Sequence, residues 1–353
     1  MANINEMVGA IIERLAKDTG ISASLAKKHR VHITEPEFNS WNIECKRLTT
    51  LSLTDTIKFA LYEFQGDKYL LASGLDSFEN NRLEAFDDIV VLSLDFIYAL
   101  NLQRIENVSE YYLQEYVFFG DGTYTAGVDY SIIGNCFPKI TTFRIKDVVS
   151  NDDAKRLYEL KIMAYYALCQ NKSQLLLSFD DNTILEYTNI ANDSNDNYPI
   201  DYLIRSLISN SWKSSFLDVY RCIERLYGLA FIDSYRRGLQ SPLSVSDVLT
   251  VLRNVQDNRL NCHENINIEH LISLLPQHLV QMLTPLCNGE KHARWVYKTR
   301  NESVHFQTEE KPVDRLNEDE WNVYFQFLLK SILYLYNALD DYLKEQPDFY
   351  GLK

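Results

Sequence analysis

The chain of 353 residues is short of several things, and each shortage excludes a class of function. Its six cysteines (Cys45, Cys136, Cys169, Cys222, Cys262 and Cys287) include no short-spaced pair, so they form no zinc signature, and a chain this long needs no disulfide framework. It has no glycine-rich phosphate loop, and His263, His270 and His278 lack metal-ligand spacing, so neither a cofactor nor a metal is expected. No apolar run is long enough to span a membrane: Asp95 interrupts 89–102 and Lys330 interrupts 325–339. The opening stretch, Met1 to Asp18, holds Glu6 and Glu13 in an amphipathic pattern unlike a secretory leader, which points to a cytoplasmic protein. Repeats and low-complexity tracts are absent. Positive charge is scarce as well. Residues 1–200 carry 18 Lys+Arg against 29 Asp+Glu (−11), leaving 17 against 20 (−3) of the net −14 for the rest. Binding of a polyanion by the whole surface is therefore excluded, and only a local basic cleft would serve.

What is present suggests two domains. Ile4, Met7, Val8, Ile11, Ile12 and Leu15 recur at helical spacing before Gly20. Between about Leu48 and Ile145 the pattern turns to β-branched and aromatic runs: 56–64, 69–72, 89–94, 112–119, 123–132 and 141–145. Turns are expected at Gly66-Asp67 and Gly120-Asp121-Gly122. The tyrosines of this stretch, Tyr111, Tyr112 and Tyr116 among them, suit strand packing; a surface for stacking nucleic-acid bases is the alternative use. The fold class expected is α+β, with a mainly antiparallel sheet and helices in an N-terminal domain over 1–150. A helical connector and linker follow over 151–200, with a helix from about Ala154 to Gln170 and a polar break at 191–197. An all-helical domain covers 201–353. Its final helix, Glu318 to Lys344, is apolar nearly all round and must be buried on several sides, in a bundle centre or a dimer interface.

The functional argument rests on Arg300-Asn301-Glu302-Ser303-Val304-His305, in a helix expected from Ala293 to His305. Asn301 and His305 are four apart and share a face, with Glu302 on its flank. Arg300 points away from His305 by more than a quarter turn, so one helix does not easily aim both at one phosphate; a second copy facing the first would complete the set. Histidine titrates near neutrality and serves as acid or base. Arginine offers a planar fork of donors for phosphate oxygens, and Asn301 orients the imidazole or donates to the phosphate. Lys291, His292, Arg294 and Lys298 form the densest basic patch nearby, read either as an RNA contact or as ordinary solvated charges.

This arginine–polar–histidine pattern resembles the signature of the HEPN superfamily, and of its ApeA-like defence proteins most. The resemblance covers about 205–353. It includes Phe216–Leu226, similar to an early helix that carries an acidic residue, here Glu224. It implies a helical bundle and a metal-independent endoribonuclease that acts as a homodimer, cutting RNA by 2′-hydroxyl attack in defence against phage, as an abortive-infection toxin would. By position Arg300, Asn301 and His305 would carry the chemistry, supported by Glu224 and Glu302, with Lys291, Arg294 and Lys298 on the RNA. Residues 1–150 would then sense a trigger or regulate. Gln307 stands where some toxin-type members place a tyrosine, which argues against the branch silenced by nucleotide transfer. The rival reading is a non-catalytic bundle of the same type that binds RNA, a nucleotide or a protein.

Overall fold

A computed structural model describes residues 4–18, 31–32, 45–76, 78–87, 89–119, 128–147, 149–193, 195–238, 240, 242–243, 247–248, 264–304 and 316–345. The chain divides into two compact units, Met1–Gln174 and Leu175–Lys353.

The first unit is α+β. In chain order it contains α1 (Ile4–Asp18), β1 (Val31–His32), β2 (Cys45–Ser52), β3 (Lys58–Phe64), β4 (Asp67–Ser73), β5 (Leu83–Phe86) and α2 (Val90–Ala99). A helical stretch α3 follows, α-helical over Glu110–Tyr112 and π-helical over Leu113–Phe119, then β6 (Val128–Asp129), α4 (Tyr130–Gly134), β7 (Ile140–Ile145) and α5 (Asp153–Gln170). Five strands form one antiparallel sheet in the order β2-β3-β4-β7-β5, and β1 pairs with β6 in parallel. Strand alternation sends Ala60, Tyr62 and Phe64 to one face, into a core with Met7, Ile11 and Leu15 of α1 and Leu92 and Phe96 of α2. Phe59 and Leu61 point the other way and are equally buried, and α5 packs against β2 and β3. The turn after β3 places Gln65 and Gly66 at φ 54° and 85°, the left-handed pair that closes a tight hairpin. At the end of β4, Gly74 has φ 74°, and a Cβ there would lie 2.7 Å from the carbonyl oxygen of Thr56.

Two runs expected to be strands are helices. Residues 89–94 open α2, whose Val90, Leu92, Leu94, Phe96 and Ile97 are all buried. A short, wholly apolar run has no periodicity to separate strand from helix, and burial on several sides allows either. Residues 112–119 belong to α3, which begins where the Ser109 hydroxyl accepts the Tyr112 N–H at 3.0 Å. Leu113 and Val117, four apart, enter the core, while Tyr111 and Tyr116 face outward, so neither is strand core. The expected strand 123–132 is described only from 128, where two strand residues give way to α4. Asp95 of α2 is an exception in this apolar setting. Its Oδ2 accepts hydrogen bonds from Arg47 Nη1 and Tyr62 Oη, both at 2.8 Å.

The second unit is helical throughout its described residues: α6 (Asp181–Asn192), α7 (Ile200–Leu207), α8 (Trp212–Glu224), α9 (Tyr227–Gly238), α10 (Glu264–Leu274), α11 (Gln277–Gln281), α12 (His292–Val304), α13 (Glu318–Ala338) and α14 (Asp340–Glu345). The stretch 151–200 thus holds α5, on the sheet of the first unit, and α6, against α13 of the second. Most of 244–257, which the Ser244-x-x-Asp247 start marks as a helix in the sequence, lies outside the described residues. Helix α13 starts with a reciprocal cap between Asn317 and Glu320 and packs against α6, α8 and α11. Its rings interlock with those of its neighbours: Trp321 stacks on Trp212 at 6.1 Å, and Tyr324 lies over Phe216 at 5.2 Å. Asn322, buried beside them, uses both ends of its amide. Its Oδ1 accepts from Asp180 N and Thr183 Oγ1, and its Nδ2 donates to the carbonyls of Ser178 and Glu318. Among the described residues no helix is long and apolar enough to cross a membrane.

Candidate functional site

Helix α12 carries the motif. Trp295, Val296 and Thr299 face the core, with the Trp295 ring 4.7 Å from that of Tyr324 and the Thr299 hydroxyl bonded back to the Trp295 carbonyl at 2.9 Å. Those anchors set the rotation of the helix. Arg300, one turn after Val296, consequently emerges at the rim of the bundle, its side chain 24% exposed. There it meets two other helices. Nε lies 3.1 Å from Glu264 Oε1, at the first residue of α10, and Nη2 lies 3.3 Å from Glu224 Oε1, at the last residue of α8. Nη1 donates to Asn301 Oδ1 at 3.0 Å. Two of the guanidinium nitrogens donate hydrogen bonds, and the third has a carboxylate beside it as an ion pair.

Behind the carboxylates stand two buried tyrosines. The Tyr220 hydroxyl donates to Glu264 Oε1 at 3.3 Å and shares a short hydrogen bond with the Tyr227 hydroxyl. Burial pushes both phenols far above their ordinary range. It also raises the Glu264 carboxyl, which Arg300 opposes and Glu224 reinforces. Burial alone would lower the Arg300 guanidinium, but the carboxylates of Glu264 and Glu224 outweigh it and hold it above its usual value. One positive charge thus faces two negative ones.

Arg300, Asn301 and Glu224 are therefore brought together, the last from 76 residues away in sequence. Glu302 is half-buried on the same helix. His305 lies outside the described residues. The basic row is elsewhere: Lys298 precedes Arg300 by two residues, about 200° around the helix. Lys298 pairs with Glu290 at 3.1 Å, Lys291 and Arg294 are exposed, and His292 Nε2 lies 3.2 Å from Thr284 Oγ1. Among the described residues no group of three or more His, Cys, Asp or Glu is disposed to hold a metal ion. Sequence reasoning missed Tyr220 and Glu264. Tyr220 had a signal, since it sits four residues before Glu224 and shares its face; Glu264, in a distant segment, had none.

No protein-family model matches the chain, and neither do curated proteins or solved structures.

Proposed function

We propose that this protein is an endoribonuclease of HEPN type. It cuts RNA without a metal, in the cytoplasm, at a site completed by a second copy of the chain, and it serves in defence against phage. The observation that carries the reading is the Arg300–Glu224 ion pair, which ties the motif helix to the helix that the resemblance singles out for its acidic residue. In this mechanism the 2′-hydroxyl next to the scissile phosphate attacks it and the ribose 5′-oxygen leaves. His305 transfers the proton, and Arg300 meets the charge that develops on the non-bridging oxygens. Asn301 steadies the guanidinium within its helix, and Lys291, Arg294 and Lys298, on the other side of α12, hold the strand at points away from the scissile phosphate. The first unit is assigned to regulation, because such an activity must be held silent until needed.

The test is cleavage of total and transfer RNA by the purified protein in excess EDTA, wild type beside His305→Ala and Arg300→Ala. Cutting that survives the chelator and disappears in both variants supports the reading. Equal cutting by all three proteins refutes it. One observation favours the rival, a non-catalytic bundle that binds RNA, a nucleotide or a protein. Arg300 is balanced by two carboxylates, which is the environment of a structural ion pair as much as of a phosphate site. Oligomeric state separates the two readings, because a strict monomer lacks the second copy that the composite site requires.

A further inference from the structure

Arg300 has five N–H donors; hydrogen bonds engage one on Nη1 and one on Nη2, and an ion pair with Glu264 covers Nε. Nε and Nη2 form one edge of the guanidinium, one of the two edges that can grip two phosphate oxygens side by side. Carboxylates occupy both nitrogens of that edge, Glu264 at Nε and Glu224 at Nη2. A phosphate approaching this edge finds Nη2 bonded, Nε covered by a carboxylate and a local balance of −1. Of the two carboxylates, Glu264 is the more firmly seated. Besides the ion pair, it accepts a hydrogen bond from Tyr220. Glu224 has no such second donor among the described contacts and is the more exposed, at 35% against 25%.

We infer that Glu264 is a built-in stopper: its carboxylate fills this phosphate-gripping edge of Arg300, and the site takes an RNA phosphate only when that side chain is displaced or neutralised. The inference rests on the proposed reading in one respect, that Arg300 is the cation meant for phosphate. Burial of Glu264 supports it, because a carboxyl already raised by desolvation gives up its charge more readily than a solvated one. The stopper also resolves the conflict between a nuclease motif and its acidic surroundings, since an enzyme that must stay silent gains from a cation that is present but covered.

The experiment is binding of a short fluorescent single-stranded RNA to the full-length protein in EDTA, followed by anisotropy. Wild type, Glu264→Gln, Glu264→Asp and the double variant Glu264→Gln/Arg300→Ala are compared. Glutamine keeps the size and an oxygen able to lie beside Nε but removes the charge. Glu264→Gln is expected to bind roughly tenfold tighter than wild type, the scale of one charge-assisted phosphate contact. Glu264→Asp, which keeps the charge, is expected to bind as wild type does, and the double variant to lose the gain. No gain in Glu264→Gln, an equal gain in Glu264→Asp, or a gain that survives loss of Arg300 would each overturn the stopper. RNA cleavage by wild type and His305→Ala, run alongside, separates the two ideas. Cleavage lost in His305→Ala with no gain in Glu264→Gln removes the stopper and spares the nuclease. A gain in binding with cleavage equal in wild type and His305→Ala does the reverse.

Discussion

Replacing Arg300 by methionine separates its structural contribution from its chemistry, and the size of the effect follows from how the ion pairs are exposed. Opposite charges about 4 Å apart attract by about 4 kcal/mol at the effective dielectric of a protein surface, before desolvation is subtracted. Fully exposed pairs retain about 0.2–1 kcal/mol, and breaking a fully buried pair costs about 3–5 kcal/mol. The side chains of Arg300, Glu224 and Glu264 are 24%, 35% and 25% exposed, between those limits. We expect about 1–1.5 kcal/mol per pair, so Arg300→Met loses about 2–3 kcal/mol, roughly 5–10 °C in the melting transition of the second unit. The variant leaves Glu224 and Glu264 facing each other with no cation between them. Adding Glu264→Gln removes that repulsion and is expected to recover about 1 kcal/mol, a coupling that a double-mutant cycle isolates. Thermal melts at pH 7, followed by circular dichroism and calorimetry, measure both. A loss below 0.5 kcal/mol, or zero coupling between positions 264 and 300, would show that the arginine is not held as described.

Other perturbations follow from the same reasoning. Asp95→Ala strands the buried Tyr62 hydroxyl and a half-covered Arg47, and should cost about 2–4 kcal/mol in urea unfolding. Asp95→Asn, which keeps one acceptor for both donors, should cost clearly less. Gly74→Ala combines a left-handed φ with a Cβ 2.7 Å from backbone and should lose about 2–4 kcal/mol, whereas Gly66→Ala, with open space around it, pays only the conformational part. Cys45 is held up to about 12, chiefly by burial and then by the nearby Asp95, from an ordinary 9.0. Between those values an unfolded chain loses the thiol proton while the folded one keeps it, so stability falls as pH rises from about 9 toward 12. Cys45→Ala should flatten that slope by about one proton, read from melting at stepped alkaline pH.

Long elements with a clear period were legible in the sequence. Helix α5 lies where its apolar spacing put it; β3 sits within the run 56–64, while β4 and β7 extend the runs marked at 69–72 and 141–145. The apolar excess of the final helix announced a buried centre, which α13 supplies, but the single helix expected over Glu318–Lys344 breaks at Leu339 into α13 and α14. The failures share one cause, that pattern reports burial and not which backbone achieves it. Residues 89–94 carry side chains suited to a strand, yet α2 buries them as a helix. At the candidate site, Arg300, Asn301 and Glu224 were readable because local spacing and a family resemblance named them. Glu264 was not, because its approach to Arg300 depends on how α10 crosses α12, and no pattern along one helix encodes that crossing.

The position of α13 has a consequence in time. Its partners begin with Ser178 and Asp180 at the start of the second unit, so the core joins the first and last parts of that unit. Leu175 to Ala338 spans 164 residues of chain. At about 5–20 residues per second, a ribosome takes about 10–30 s to supply them. Throughout that interval the earlier helices lack the wall against which Trp212, Phe216 and Trp295 pack. The sheet unit has all its strands by residue 145 and acquires its own core first. Helix α12 therefore emerges without the Tyr324 ring that sets its rotation, and Arg300 finds its two carboxylates only once the polypeptide has run past α13.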